Sequence, residues 1–301
     1  MKSTFRFLSR MALRLLPWGV ASALGMAGLN AAADPATLRT RHAQLHEQLK
    51  NNVYQRALYI DSAEQGNNLK GDVYAVLDYP FATVSEALRQ PEDWCDIMIL
   101  PFNTKYCHAV KGSGGPVLLM RIRRKFDQPV QDAYRIEFSW RNAAATPDYL
   151  ETALNAPEGP LGTRDYRINV SVVPLEGNKS FMHLSYSYGY GVAGRLAMQA
   201  YMATVGADKV GFSVTGRDAN GQPVYIGGVR GAIERNAMRY YLAIGAHLAA
   251  QAFSAPQQAD KRIQAWFNAT ERYPRQLREM DRSTYVAMKR TEVERQQALL
   301  Q

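Results

Sequence analysis

The sequence predicts an α+β fold: an antiparallel sheet with one buried face, a long helix near the carboxyl end to cover it, and helical extensions at both ends. Two observations carry this. Four consecutive segments from residue 117 onward alternate apolar and polar side chains with period two, as strands with one dry and one wet face do. Residues 229–251 then repeat apolar side chains at three- and four-residue steps, the period of an amphipathic helix.

Residues 1–33 read as an export signal. Lys2, Arg6, Arg10 and Arg14 form a basic start, residues 15–29 are apolar, and Ala31-Ala32-Ala33 offers a cleavage site before Asp34-Pro35. A retained anchor is the competing reading, but Pro17, Gly19, Gly25 and Gly28 interrupt the stretch, and a span needs about 20 apolar residues. No Cys stands near the site for lipidation, and no paired arginines mark a twin-arginine route. The expected location is periplasmic or secreted, after cleavage near Ala33. Processing lowers the formal net charge from +9 to +5 by removing the four basic residues. The remaining excess is mild and scattered, so no nucleic-acid partner is expected. Transient contact with a membrane surface or an envelope protein stays open.

The chain has two cysteines, Cys95 and Cys107, both in the exported part. An oxidising compartment favours a disulfide, which would stabilise by about 3 kcal/mol on a chain-entropy estimate. A metal pair or a reactive thiol is the alternative. No zinc-type spacing supports the metal, although His108 adjoins Cys107.

Along the chain, residues 36–51 read as a helix with Leu38, Leu45 and Leu49 on one face. Strands follow at 53–60 and 72–79, flanking the turn-like Glu64-Gln65-Gly66-Asn67-Asn68. Pro80 stops the second strand, and a short helix over 81–88 is closed by Pro91. The period-two segments are 117–123, 134–140, 166–172 and 182–190. In the last, Met182, Leu184, Tyr186, Tyr188 and Tyr190 alternate with His183, Ser185, Ser187 and Gly189. Residues 193–205 look helical and 209–214 strand-like. A short strand at 224–226 ends at Gly227-Gly228. On the long helix Ile233, Ala237, Tyr241, Ile244 and Leu248 form the apolar face, with Arg235 and Arg239 opposite. Residues 255–301 form a charged tail of amphipathic character, split near Tyr273-Pro274.

The stretch Gly71-Asp72-Val73-Tyr74-Ala75-Val76-Leu77-Asp78-Tyr79-Pro80-Phe81, with Val84, Leu88 and then Trp94-Cys95, resembles the first strand and helix of the START-like (SRPBCC) superfamily. With the following strands and long helix, the resemblance spans about residues 70–250. It implies the helix-grip fold, a curved antiparallel sheet wrapped around a long C-terminal helix, with a cavity between them. The implied division is signal peptide 1–33, an N-terminal helix and strand over 34–69, the helix-grip domain over 70–252, and a charged helical tail over 253–301.

The Ser185–Gly191 run is the most distinctive local feature. Tyr186, Tyr188 and Tyr190 share a face, and Phe138, Trp140 and Tyr166 should project into the same space. They either line a cavity for a lipid or other mostly apolar ligand, such as a sterol or polyisoprenoid, or form an ordinary aromatic core. Arg235 and Arg239 repel each other unless an acid lies between them. A ligand carboxylate or phosphate would serve, and so would an acid of the sheet or tail. Arg230 and Glu234 read as a solvated i,i+4 pair. Gly159-Pro160-Leu161-Gly162-Thr163 lacks the order of a phosphate loop. His42 and His46, with Glu47, lack the zincin order. No catalytic set, metal site or cofactor motif can be assembled from spacing. The functional expectation is a binder of an apolar small molecule. A non-catalytic interaction protein of an envelope complex and a cyclase- or hydrolase-like enzyme of the same fold are the alternatives.

Overall fold

A computed structural model describes residues 34–124, 128–204 and 206–298. The expected export signal lies outside these residues. The described residues form one compact unit.

Asp34 caps the first helix by accepting from the Thr37 amide at 2.8 Å. The expected helix over 36–51 is two helices, α1 (Pro35–Gln44) and α2 (His46–Lys50), joined at Leu45. The first hairpin joins β1 (Leu58–Gln65) to β2 (Asn68–Leu77) through Gly66 at φ +59. The expected loop is thus largely strand, and residues 53–57 precede it. Next come α3 (Phe81–Ala87) and α4 (Pro91–Met98). Pro91 does not merely close a helix; it begins the next one, where its missing amide costs nothing.

The remaining strands are β3 (Thr104–Gly112), β4 (Gly115–Ile122), β5 (Tyr134–Thr146), β6 (Tyr149–Glu158), β7 (Thr163–Leu175) and β8 (Lys179–Tyr190). After them come α5 (Val192–Ala203), the ribbon β9 (Val214–Arg217) with β10 (Pro223–Tyr225), and α6 (Gly228–Ala250). The chain ends in α7 (Ala255–Thr270), α8 (Pro274–Leu277) and α9 (Arg282–Ala298).

Eight strands form one antiparallel sheet in the order β1-β2-β8-β7-β6-β5-β4-β3, and α6 runs over β1, β2 and β8. This is the α+β helix-grip arrangement. Helix and sheet approach closely at Gly71, where a Cβ would come 3.2 Å from the Ile233 carbonyl oxygen. The main core fills the space between sheet and α6.

Three expectations change. The far side of the sheet is not uniformly wet, because α1 and α2 set Leu38, Leu45 and Leu49 on Tyr149, Val173 and Phe181 in a second core. On that side His183 stacks on Tyr74 at 4.2 Å and lies 2.7 Å from Asp72. Second, α6 is buried nearly all round, since α4 and α7 also pack on it, and its Arg235 and Arg239 are buried. Third, the 253–301 segment is no separate tail: Ile263, Trp266, Phe267, Leu277, Tyr285, Val286 and Val293 belong to the main core. Cys95 of α4 is disulfide-bonded to Cys107 of β3.

Candidate functional site

The period-two pattern puts Phe138 on β5, Tyr166 on β7 and Tyr186 and Tyr188 on β8 on the α6 side of the sheet. The neighbouring registers Ile168↔Tyr186 and Leu118↔Phe138 fix their rows. There the rings meet. Tyr166 stacks on Tyr188 at 5.1 Å, lies 6.2 Å from Tyr186, and meets the edge of Phe138 at 6.2 Å. Tyr240 of α6 closes the group, edge-on to Tyr186 at 5.3 Å. Sequence reasoning had not placed Tyr240 there, although it follows Ile233 and Ala237 at helical spacing.

The polar atoms of this group are unevenly satisfied. Tyr166 donates to Thr163 Oγ1 at 2.8 Å, and the Tyr188 hydroxyl lies 3.7 Å from Met198 Sδ on α5. Trp140 on β5 is 9 % exposed, and its indole N–H has no acceptor among the described residues. Burial pushes the phenol pKa values of Tyr166, Tyr186, Tyr188 and Tyr240 upward; Arg235 opposes the shift at Tyr188. At neutral pH these hydroxyls are neutral donors and acceptors, suited to an uncharged ligand.

Other candidates separate from this group. Tyr190 lies at the sheet end, where its hydroxyl donates to Glu64 at 2.9 Å. Arg235 is buried, bonds the Val210 carbonyl at 3.3 Å, and stays near Tyr188. Arg239 turns away, forming an ion pair with Glu279 at 2.6 Å and bonding Asn236. An acid of the C-terminal segment thus occupies the place proposed for a ligand anion at Arg239. The expected Arg230–Glu234 solvated pair also gives way. Glu234 is fully buried and accepts from Ser62 Oγ, the Phe212 and Ser213 amides and Ser213 Oγ at 2.6–2.8 Å. Gly211 admits this clasp, since a Cβ there would come 2.6 Å from Glu234 Oε2.

No protein-family model matches the chain, and no curated protein resembles it in sequence. Among solved structures, similarity extends to a protein from Arthrobacter aurescens at 18% identity, over 63% of this chain and 91% of that one, with a TM-score of 0.33. A START superfamily protein from Mycobacterium smegmatis is 13% identical over 45% of this chain and 88% of its own, with a TM-score of 0.31. Truncated norcoclaurine synthase from Thalictrum flavum is 14% identical over 46% of this chain and 87% of its own, with a TM-score of 0.30. The site is therefore argued from this chain's own residues.

A second cluster was not legible in the sequence. Asp93 and Asp96 on α4 and His247 on α6 bring ligand-type atoms within 4.8 Å of one another. Arg262 of α7 lies 2.9 Å from Asp96 and supplies positive charge there already. Burial and Asp96 push the Asp93 carboxyl up to about 6; burial and Arg262 push His247 down to about 4. The cluster joins three helices and cannot be seen from local spacing.

Proposed function

We propose that the chain is an exported, non-catalytic carrier or sensor that holds an apolar small molecule between the sheet and α6, beneath α5. One observation carries the reading. Tyr166 of the sheet and Tyr240 of α6 keep accessible area within the aromatic group that joins sheet and helix. A recess opening there would have these rings as its wall. The phenol hydroxyls of Tyr166 and Tyr240 supply its polar atoms. The ligand class that satisfies both is a mostly apolar, rigid molecule with one hydroxyl or carbonyl oxygen.

The cover over this recess also suits a lipid. On α5, Val192 is 79% and Leu196 61% exposed, and Leu161 beside them is 52% exposed. An apolar lip at the mouth lets a carrier touch a bilayer while ligand passes.

Native mass spectrometry of mature protein purified from its own envelope, followed by organic extraction, tests the reading. A stoichiometric lipid-like adduct is expected. An apo mass that stays unchanged after incubation with sterol and polyisoprenoid vesicles would overturn it.

A further inference from the structure

A cleft of about 710 Å³ opens on the other flank of α6, between the end of β2 and α7. Tyr241, Gly245 and Ala249 face it, roughly half a turn around the helix from Tyr240. The cleft is therefore separate from the aromatic recess. Its floor is made by small side chains, with Ala265 and Ala269 of α7 opposite Gly245. A Cβ at Gly245 would meet nothing within 4 Å, so the space starts at the helix backbone.

The rim is cationic. Lys179 and Asp78 neutralise each other at 2.8 Å. Arg56 and Arg272 remain, and neither has a carboxylate within ion-pair distance among the described residues; the neighbouring Glu271 is taken by Arg278. Arg56 lies 5.4 Å from the centre of the Tyr241 ring. Arg56 and Arg272 line the same cleft, and Arg56 also hydrogen-bonds the Tyr273 side chain. A further recess of about 480 Å³ continues past Gln55 and Arg272, which line both spaces.

We propose that this cleft binds an anionic amphiphile, with its carboxylate or phosphate between Arg56 and Arg272 and its hydrocarbon chain along the alanine and glycine floor. Guanidinium matches either headgroup bidentately. The apolar floor distinguishes an amphiphile from a free anion, and the volume lies within the roughly 300–1,000 Å³ of small-molecule sites. The site is independent of the recess ligand, so either can fail without the other.

Calorimetric titration of the full chain with dodecanoate, dodecyl phosphate, dodecanol and inorganic phosphate tests this. The two anionic amphiphiles should bind, and dodecanol should bind about tenfold more weakly or worse, the worth of one charged hydrogen bond. The double variant Arg56→Gln/Arg272→Gln should raise the Kd of the anionic amphiphiles about tenfold and leave dodecanol unchanged. Gly245→Leu should block all three chains by filling the floor. Should it not fold, the arginine variants decide alone. Unchanged dodecanoate binding in the double variant would overturn the proposal. So would inorganic phosphate binding as tightly as dodecyl phosphate, which marks a free-anion site. Loss of dodecanoate on Tyr188→Ala would place the chain in the aromatic recess and overturn it as well.

Discussion

At the scale of single residues, burial decides what each polar group does. Trp140 carries an unpaired N–H inside the protein. Trp140→Phe removes that donor and leaves a smaller ring, so stability should fall by less than the about 3–5 kcal/mol of truncation to alanine, while occupancy by an oxygen-bearing ligand falls. Equal occupancy in wild type and variant would return Trp140 to plain core. Glu234 is the opposite case, with four donors aimed at both oxygens. In Glu234→Gln the new amide faces donors, and a loss of about 2–3 kcal/mol is expected in urea unfolding. A loss under about 0.5 kcal/mol, an ordinary surface value, would contradict the clasp. The Asp93–His247 pair gives a pH signature. Asp93, raised toward 6, lowers stability as pH rises from about 4 to 6; His247, lowered toward 4, raises stability between about 4 and 6.5. The two slopes oppose each other in wild type. Asp96, also raised by burial, keeps a slope of the Asp93 sign, so Asp93→Asn removes only one opposing slope and its melting temperature should climb relative to wild type from pH 4 to 6.5. A profile parallel to wild type would refute this account. Of these residues the sequence exposed the aromatic set, because period two lists a face directly. It hid Glu234, whose spacing to Arg230 looks like any solvated helix pair until the 210–213 segment is laid against it.

At the scale of elements, legibility follows how each side of an element is covered. β5 shows its alternation openly because one face is wet, with Arg135, Glu137 and Ser139 exposed between buried neighbours. β6 was missed because it is buried on both faces: Leu150, Ala153, Leu154 and Ala156 break the period of two. β3 was missed for another reason, since Lys105, His108 and Lys111 interrupt its apolar residues. α4 went unread because Pro91 serves equally as a stop and as a first helical residue. The disulfide then ties these two unread elements together. Replacing Cys95 and Cys107 by serine should lower stability by about 3 kcal/mol on the chain-entropy estimate. Ligand occupancy should persist below the new midpoint, because neither cysteine belongs to the aromatic group. A thiol count on unfolded, unreduced protein should find none, and two free thiols would disprove the bond.

At the scale of the molecule, the expected boundary at 252 meets a continuous core. Trp266 donates to the Arg239 carbonyl at 3.1 Å, Tyr285 to Leu100 at 2.8 Å, and buried Lys289 reaches the carbonyls of Pro101 and Thr104 and the carboxylate of Glu292. Charge composition suggested a tail, but Arg262, Lys289 and Glu292 are buried and paired, and the aromatics complete the packing around α6. Arg239 shows the consequence: without residues 253–301 it loses Glu279, and its flank of α6 opens to water together with the apolar residues packed there. Losing one buried aromatic costs about 3–5 kcal/mol, and Trp266, Phe267 and Tyr285 all leave the core, against a total stability of about 5–15 kcal/mol for an ordinary domain. A chain ending at residue 252 should therefore show no cooperative thermal transition and should bind a hydrophobic dye at room temperature. A sharp melt within a few degrees of the full chain would instead establish 70–252 as a self-sufficient domain.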